Sequence, residues 1–184
     1  NQAKKFNVKN LIITDKKSFN KLKILNQDFN IKIYNDFNSL NKIFKKKIDY
    51  VMSSIIGIDG LDPTLKIIKH TKKIAIANKE AIICGWSLIK KELDKFKVKF
   101  IPVDSEHFSI WSLINDAKNT NIEKVFITAS GGPFNKLPLS KFKKINIKQA
   151  LKHPNWKMGK KITIDSATMM NKVFEIIEAK KIFN

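Results

Sequence analysis

The sequence predicts an α/β protein built around a parallel sheet. In the first half of the chain, short runs of β-branched and aromatic residues alternate with longer segments of helical periodicity. Strands separated by helices at this spacing form right-handed βαβ units, whose strands lie parallel. The chain has 184 residues, 43% of them hydrophobic, which is enough to bury a core and argues against disorder.

The first half is predicted to contain four strand–helix pairs. A turn at Gly57–Gly60 precedes the third helix, and Pro63 suits the first turn of that helix because its missing N–H would be unsatisfied there anyway. The predicted strands are Val8–Thr14, Ile31–Tyr34, Tyr50–Ile55 and Lys73–Ala77, and the predicted helices are Ser18–Leu25, Ser39–Phe44, Pro63–Lys69 and Glu80–Lys91.

The second half departs from this rhythm, and the predicted domain boundary lies near Ile101–Pro102, giving units 1–101 and 102–184. A glycine turn is expected at Ser130–Phe134 and a loop at His153–Gly159. The predicted strands are Val98–Val103, Lys124–Thr128 and Lys161–Ile164, and the predicted helices are Phe108–Asn115 and Ala167–Phe183.

The charge balance allows two interpretations. The chain carries 36 basic and 16 acidic residues, a net charge of +20, which is typical of nucleic-acid-binding modules. Every basic residue is lysine, however, and the lysines are scattered along the whole chain, whereas nucleic-acid readers favour arginine. Compositional bias is therefore the preferred interpretation, and a basic nucleic-acid-binding module is the alternative.

The lone cysteine excludes an internal disulfide framework and fits a reducing compartment. Cys84 follows an apolar run, so we expect a buried side chain rather than a nucleophile. No run approaches the roughly 18 apolar residues that span a bilayer. The chain begins without methionine or a signal-peptide core, so we expect its N-terminus to be missing or processed.

Three segments carry polar residues suited to chemistry. Asp104 and Glu106 follow an apolar strand, where extended backbone would point both carboxylates to one side, and oxygen ligands favour Mg²⁺ or Mn²⁺. The turn after Ser130 presents backbone N–H groups that could bind an anion. Lys172 and Glu175 lie in the first turns of the last predicted helix. Each segment also has an ordinary explanation: a helix cap, a tight turn and a surface ion pair.

These segments resemble, together and in order, the 1-deoxy-D-xylulose 5-phosphate reductoisomerase family. The resemblance implies a Rossmann-like parallel sheet lacking its first βα unit, followed by an α+β catalytic domain with a flap loop. It also implies NADPH, a divalent metal and a small phosphorylated sugar as ligands. The motifs that carry it are Gly57–Thr64, Ala77–Glu80, Pro102–His107, Ser130–Phe134, His153–Gly159 and Asp165–Lys172.

The resemblance also implies roles for individual residues. Lys79, Glu106, His153 and Glu175 are the expected catalytic residues. The expected metal ligands are Asp104, Glu106 and Glu175, and the expected cofactor contacts are Asn78, Glu80 and Gly159. The residues expected to bind substrate are Lys79, Ser105, Glu106, Ser130, His153, Ser166, Asn171, Lys172 and Glu175. Trp156 is the expected apolar lid of the flap.

The chain departs from the family at three points. The glycine-rich nucleotide loop is not found before Val8, and the family continues past Asn184. Val173 stands where the family usually has glycine, and it would crowd a ligand if that position needs close approach. Roughly half of the family's length is therefore expected here, and NADPH binding by this chain alone should be poor. The resemblance implies no nucleic-acid or membrane partner, a homodimer for the full-length protein, and the bacterial cytoplasm or a plastid-type organelle. A domain left inactive by truncation is a further alternative.

Overall fold

Two parallel sheets organise the first half of the chain. A computed structural model describes residues 2–25, 31–116 and 122–183. In the first sheet β1 (Asn10–Ile12) pairs with β2 (Lys32–Tyr34). In the second sheet β3 (Val51–Ser53), β4 (Lys73–Ile76) and β5 (Lys99–Pro102) lie side by side in that order, all parallel. The predicted α/β class is therefore confirmed.

Helices follow each of these strands and continue into the second half. Short 3₁₀ turns cover Phe37–Ser39, Ile58–Gly60 and Leu139–Lys144. No described helix is both long enough and apolar enough to cross a membrane. The helices are α1 Gln2–Lys5, α2 Lys16–Leu25, α3 Leu40–Ile43, α4 Leu61–Ile68, α5 Lys79–Phe96, α6 Ser105–Asp116, α7 Ile147–Ala150, α8 Lys160–Ala167 and α9 Met170–Phe183.

The core lies between β4 and the two helices that flank it in sequence. Ile74 and Ile76 of the central strand are fully buried, as are Ile82 and Ile89 of α5. Each such isoleucine contributes about 1.5 to 3 kcal/mol through burial. Gly85 lets α5 approach α4 closely, because a Cβ there would overlap a side chain of that helix. This packing fixes the start of α5 beside the carboxyl ends of the strands.

Cys84 is exposed, so the expectation that it is buried is wrong. It lies two residues after Ile82 on α5, which rotates its side chain about 200° around the helix from that core residue. The apolar run around Cys84 is continuous in sequence, but only one face of the helix meets the core.

Two predicted strands are absent from the described part of the chain. Lys124–Thr128 has no regular structure, and Val125 and Phe126 are exposed, because no described strand lies alongside to satisfy its backbone groups. Lys161–Ile164 lies inside α8 and not in a strand. A short apolar run has no periodicity that separates strand from helix, and in the structure this run follows the N-cap residue Gly159 and forms the first turns of α8.

The predicted helix Ala167–Phe183 is interrupted near its start. The structure ends α8 at Ala167 and begins α9 at Met170, with Met169 between them at a φ of 61°. A left-handed residue cannot continue a right-handed helix, so the chain changes direction there. The break separates Ser166 at the end of α8 from Asn171 at the start of α9 and turns both toward one cavity.

Candidate active site

The site begins where β4 and β5 end. Asn78 follows β4 and caps α5, accepting a hydrogen bond from the Ala81 N–H at 2.9 Å. Asp104 follows β5 and accepts the Glu106 N–H at 3.2 Å, which starts α6. Glu106 is therefore helical, and the expected extended backbone from Asp104 to Glu106 is wrong. The first helical turn still keeps the two carboxylates on the same side.

Asp104, Glu106 and Glu175 form a carboxylate cluster. One carboxylate oxygen from each lies within 4.8 Å of the other two, although Glu175 comes from α9. His107 joins α6 to α9. Its Nε2 donates a hydrogen bond to the backbone carbonyl oxygen of Glu175 at 2.8 Å. The helix that follows β5 is thereby fastened to α9, and this contact brings Glu175 beside Asp104.

The cluster fits a hard divalent cation. All three donors are carboxylates, which Mg²⁺ and Mn²⁺ prefer over nitrogen or sulfur ligands. Glu175 is 2% exposed, and its Oε2 atom makes no hydrogen bond of regular geometry to a described residue, although Lys172 pairs with it. A bound cation would satisfy this buried carboxylate oxygen, which can still accept an interaction.

Two lysines offset the negative charge of this cluster. Lys79 Nζ lies 3.5 Å from Asp104 Oδ2 and 3.8 Å from Glu175 Oε1, and donates to Asn171 Oδ1 at 2.7 Å. Lys172 Nζ donates to Glu106 Oε1 at 2.9 Å. Three carboxylates and two ammonium groups thus occupy one wall of the cavity, so a further cation is favoured there on charge alone.

These contacts shift the pKa values of Glu106 and Lys172. Burial raises the pKa of Glu106, but hydrogen bonds from Ser105 and Lys172 outweigh it and lower this pKa to about 2. Burial lowers the pKa of Lys172, but its bonds to Glu175 and Glu106 outweigh that effect and raise it. Both side chains are charged at neutral pH, so the wall presents anionic ligands and a cation side by side.

The opposite wall is built from the glycine turn and the loop at 153–159. His153 Nδ1 accepts the N–H groups of Asn155 at 3.2 Å and Trp156 at 3.1 Å, so its proton is on Nε2. That Nε2 lies 3.2 Å from Ser130 Oγ, which also accepts the Gly132 N–H at 3.3 Å. With two donors directed at its oxygen, the Ser130 hydroxyl proton is free to point at a ligand.

Gly132 fixes the position of this wall against α8. Its φ is 65°, and a Cβ added there would lie 2.6 Å from the Ser166 carbonyl oxygen. Only glycine adopts this conformation and this close approach without strain. The turn bearing Ser130 and the helix bearing Ser166 are therefore held together at one edge of the cavity.

Both walls line a single cavity of about 520 Å³. Every residue predicted to bind substrate lies in its lining, and Trp156, 66% exposed, stands at its edge. The lining residues are Lys79, Asp104, Ser105, Glu106, Thr128, Ala129, Ser130, His153, Trp156, Met158, Ile162, Ser166, Met169, Asn171, Lys172 and Glu175.

The predicted cofactor contacts lie outside this lining. The Asn78 amide donates to the carbonyl oxygens of Ile55 and Gly57, and Glu80 pairs with Lys161 at 3.0 Å. Gly159 begins α8. Val173 is 43% exposed and does not line the cavity.

Sequence reasoning missed the buried pair behind the carboxylate cluster. His107 Nδ1 lies 3.4 Å from Asp104 Oδ1 and 3.5 Å from Glu178 Oε2. Burial, together with the charge of Asp104, raises the pKa of Glu178 to about 8. The spacing of Glu175 and Glu178, three residues apart on one helix, was the available signal that both face the same way.

Comparison with known sequences shows the family. The family model for 1-deoxy-D-xylulose 5-phosphate reductoisomerase matches residues 1–85, and the model for that enzyme's C-terminal domain matches residues 100–183. The chain belongs to the 1-deoxy-D-xylulose 5-phosphate reductoisomerase family. The two matches together cover both walls of the cavity.

Relatives within the reductoisomerase family come from several bacteria. The chain is 67% identical over its whole length to the reductoisomerase of Pelagibacter ubique, covering 48% of that protein. It is 43% identical to the Clostridium tetani reductoisomerase, with 97% of this chain and 47% of that protein aligned. The chain thus spans about half the length of the curated relatives it matches.

Solved reductoisomerase structures share the fold. The Zymomonas mobilis reductoisomerase in complex with NADPH superposes with a TM-score of 0.83 at 33% identity, over 98% of this chain and 46% of that one. A reductoisomerase in complex with NADPH, fosmidomycin and magnesium gives a TM-score of 0.84 at 32% identity, over 99% of this chain and 48% of that one. The Rossmann-like α/β architecture is therefore shared with these proteins.

Proposed function

We propose that this chain forms the substrate- and metal-binding part of an NADPH-dependent reductoisomerase. The intact enzyme converts 1-deoxy-D-xylulose 5-phosphate into 2-C-methyl-D-erythritol 4-phosphate. One observation carries the proposal: a single cavity brings together Asp104, Glu106, Glu175 and Lys172. Solved relatives that bind NADPH, fosmidomycin and magnesium support it.

The carboxylate cluster is the proposed metal site. Asp104, Glu106 and Glu175 would hold Mg²⁺ or Mn²⁺, which when bound polarises the substrate carbonyl and stabilises developing negative charge. Lys79 and Lys172 pair with these carboxylates and so reduce the repulsion among the three negative charges. Lys79 also directs an ammonium group into the cavity, where it can bind the sugar oxygens together with Ser105 and His153.

The remaining polar lining is the proposed phosphate site. Ser130, Ser166, Asn171 and Lys172 supply hydroxyl, amide and ammonium donors, which suit a phosphate dianion. Holding the phosphate at this end positions the reacting carbons over the carboxylate wall, which lowers the entropy cost of reaction. Trp156 would cover the substrate and exclude water when the loop closes.

The cofactor contacts and the larger organisation are part of the same proposal. Asn78, Glu80 and Gly159 are the proposed cofactor contacts. They adjoin Lys79 and Met158 in sequence, and these two residues line the cavity where a nicotinamide ring would approach the substrate. We assign residues 1–101 to the NADPH-binding domain and residues 102–184 to the catalytic domain with its flap. We further propose that the intact enzyme is a homodimer in the bacterial cytoplasm.

A hybrid enzyme tests this function directly. In the hybrid, this chain replaces the matching half of the Pelagibacter ubique relative, which is 67% identical to it. We expect the hybrid to oxidise NADPH when given 1-deoxy-D-xylulose 5-phosphate and Mg²⁺ or Mn²⁺, and to lose this activity with a chelator. A folded hybrid that shows no turnover with either metal would contradict the proposal.

The metal site has a separate test. In Glu175→Gln we expect turnover to fall by at least about 100-fold and Mn²⁺ binding, measured by calorimetry, to weaken in parallel, because one anionic ligand is lost. Glu123→Gln, which neutralises an exposed carboxylate that does not line the cavity, is the matched control and should behave as wild type. Unchanged Mn²⁺ affinity in Glu175→Gln would remove Glu175 from the metal site.

A further inference from the structure

One ammonium group touches three helices at the edge of the site. Lys161 lies in the first turn of α8, and its Nζ is 3.0 Å from Glu80 Oε1 in α5. The same Nζ is 2.7 Å from Asp165 Oδ2, one turn further along α8. It also lies 5.2 Å from the centre of the Phe174 ring in α9.

Each contact lies beside a residue of the proposed site. Glu80 follows Lys79, whose ammonium group reaches the carboxylate cluster, and Asp165 precedes Ser166 at the phosphate end. Lys161 itself comes two residues after Gly159, where the 153–159 loop joins α8. Lys161 does not line the cavity, so its contacts fix the helices that carry these groups without touching substrate.

The ion pair shifts both partners toward their charged forms. The bond to Asp165 raises the pKa of Lys161, with Glu80 adding to the effect. Burial raises the pKa of Glu80, but the bond from Lys161 outweighs it and lowers this pKa. Glu80 is only 27% exposed at its side chain, so its carboxylate has little water to replace a lost ammonium partner.

We propose that Lys161 is a positioning residue that couples cofactor binding at Glu80 to closure of the 153–159 loop over the substrate cavity. This inference rests on the proposed function, which places cofactor contacts at Glu80 and Gly159. A cofactor that orders Glu80 also orders Lys161, and through it the start of α8 and the end of the loop. Cofactor and substrate analogue then bind more tightly together than separately, and linkage makes the effect reciprocal.

Equilibrium binding to the hybrid enzyme measures this coupling. The dissociation constant of fosmidomycin with Mg²⁺ is determined by calorimetry with and without NADPH, and the ratio of the two is the coupling factor. In Lys161→Met, which keeps a long unbranched side chain but removes the charge, we expect the coupling factor to fall about fivefold. Lys161→Arg keeps the cation and should retain most of the coupling.

Two further variants separate positioning from general stability. Lys160→Met removes the neighbouring charge, for which the structure shows no ion pair to a described residue, and should leave the coupling unchanged. In a Glu80→Gln background, Lys161→Met should have little additional effect on coupling, because the partner through which it acts is already neutral. If Lys161→Met does not fold, Lys161→Gln provides the same comparison.

The outcomes for the two proposals are distinct. An unsubstituted hybrid without turnover defeats the proposed function. An active hybrid whose coupling factor is the same with and without the Lys161 charge overturns the positioning role alone. The positioning role is also overturned if Lys161→Met lowers the coupling factor as much in the Glu80→Gln background as in the wild type. Lys161 would then act through its other contacts.

Discussion

Glu178 gives the sharpest test of the electrostatics behind the carboxylate cluster. Glu178 is 2% exposed. Its burial is the main cause that raises its pKa from 4.5 to about 8, and the charge of Asp104 is the second. Glu178→Gln keeps the shape of the buried group and removes its titration. Comparing the variant with the wild type therefore measures how much ionisation of Glu178 lowers the free energy of unfolding.

The magnitude follows from the two pKa values. In the unfolded chain Glu178 ionises near 4.5, whereas in the folded chain it keeps its proton up to about pH 8. Its contribution to stability is complete below pH 4.5 and is lost as pH rises through 8. Each pH unit in this window changes the free energy of unfolding by about 1.4 kcal/mol, which amounts to about 5 kcal/mol across the window.

The assay compares urea unfolding of the wild type and Glu178→Gln, followed by tryptophan fluorescence between about pH 5 and about pH 9 in the presence of a chelator. We expect the advantage of glutamine to grow by about 1.4 kcal/mol per pH unit up to pH 8 and then level off. Added Mg²⁺ should reduce this dependence, since the charges of Asp104 and Glu175 contribute to the raised pKa. Parallel pH profiles for the two proteins would refute the reasoning.

Three further substitutions test the local structure. Gly132→Ala should destabilise the fold by about 2 kcal/mol and weaken fosmidomycin binding in calorimetry, because φ is positive and the Ser166 carbonyl blocks the new Cβ. Gly159→Ala meets no steric obstacle, so it should destabilise the fold less. Lys97→Gly should raise the free energy of unfolding in urea by about 0.5 to 1 kcal/mol, since Lys97 ends α5 at a φ of 51°, whereas Lys97→Ala should give no such gain. Asn78→Ala should cost about 2 to 3 kcal/mol in the same assay, because the cap of α5 and both carbonyl partners lose their buried amide; an unchanged midpoint would show that these bonds contribute nothing net.

The βαβ half of the fold was predictable because its helices and strands are each indicated by a pattern of neighbouring residues. Helices such as α5 carry their own periodicity, and the strands β3 to β5 are short β-branched runs between turn residues. The same local reasoning failed for Lys124–Thr128 and Lys161–Ile164. A strand needs a neighbouring strand to form hydrogen bonds with, and a short apolar run does not show whether such a neighbour exists.

The candidate site shows the same division. The resemblance named most of the polar residues that line the cavity, because its motifs are short stretches of sequence. It did not indicate the hydrogen bond from His107 to Glu175, the burial of Glu178 or the ion pair between Lys161 and Glu80. These contacts join residues that are 68 and 81 positions apart or lie beneath the surface of the cavity, and no local pattern encodes them.

The sequence by itself determined the α/β class, the order of the elements in the first half of the chain and the chemical types of the groups that form the site. Periodicity and residue type are properties of neighbouring residues, so they can be read along the chain. Only the tertiary structure decided that Glu175 of α9 meets Asp104 and Glu106, that α8 is a helix, and that Cys84 faces outward. Those outcomes depend on how helices pack across the ends of the strands, which is fixed by burial and by contacts between distant residues.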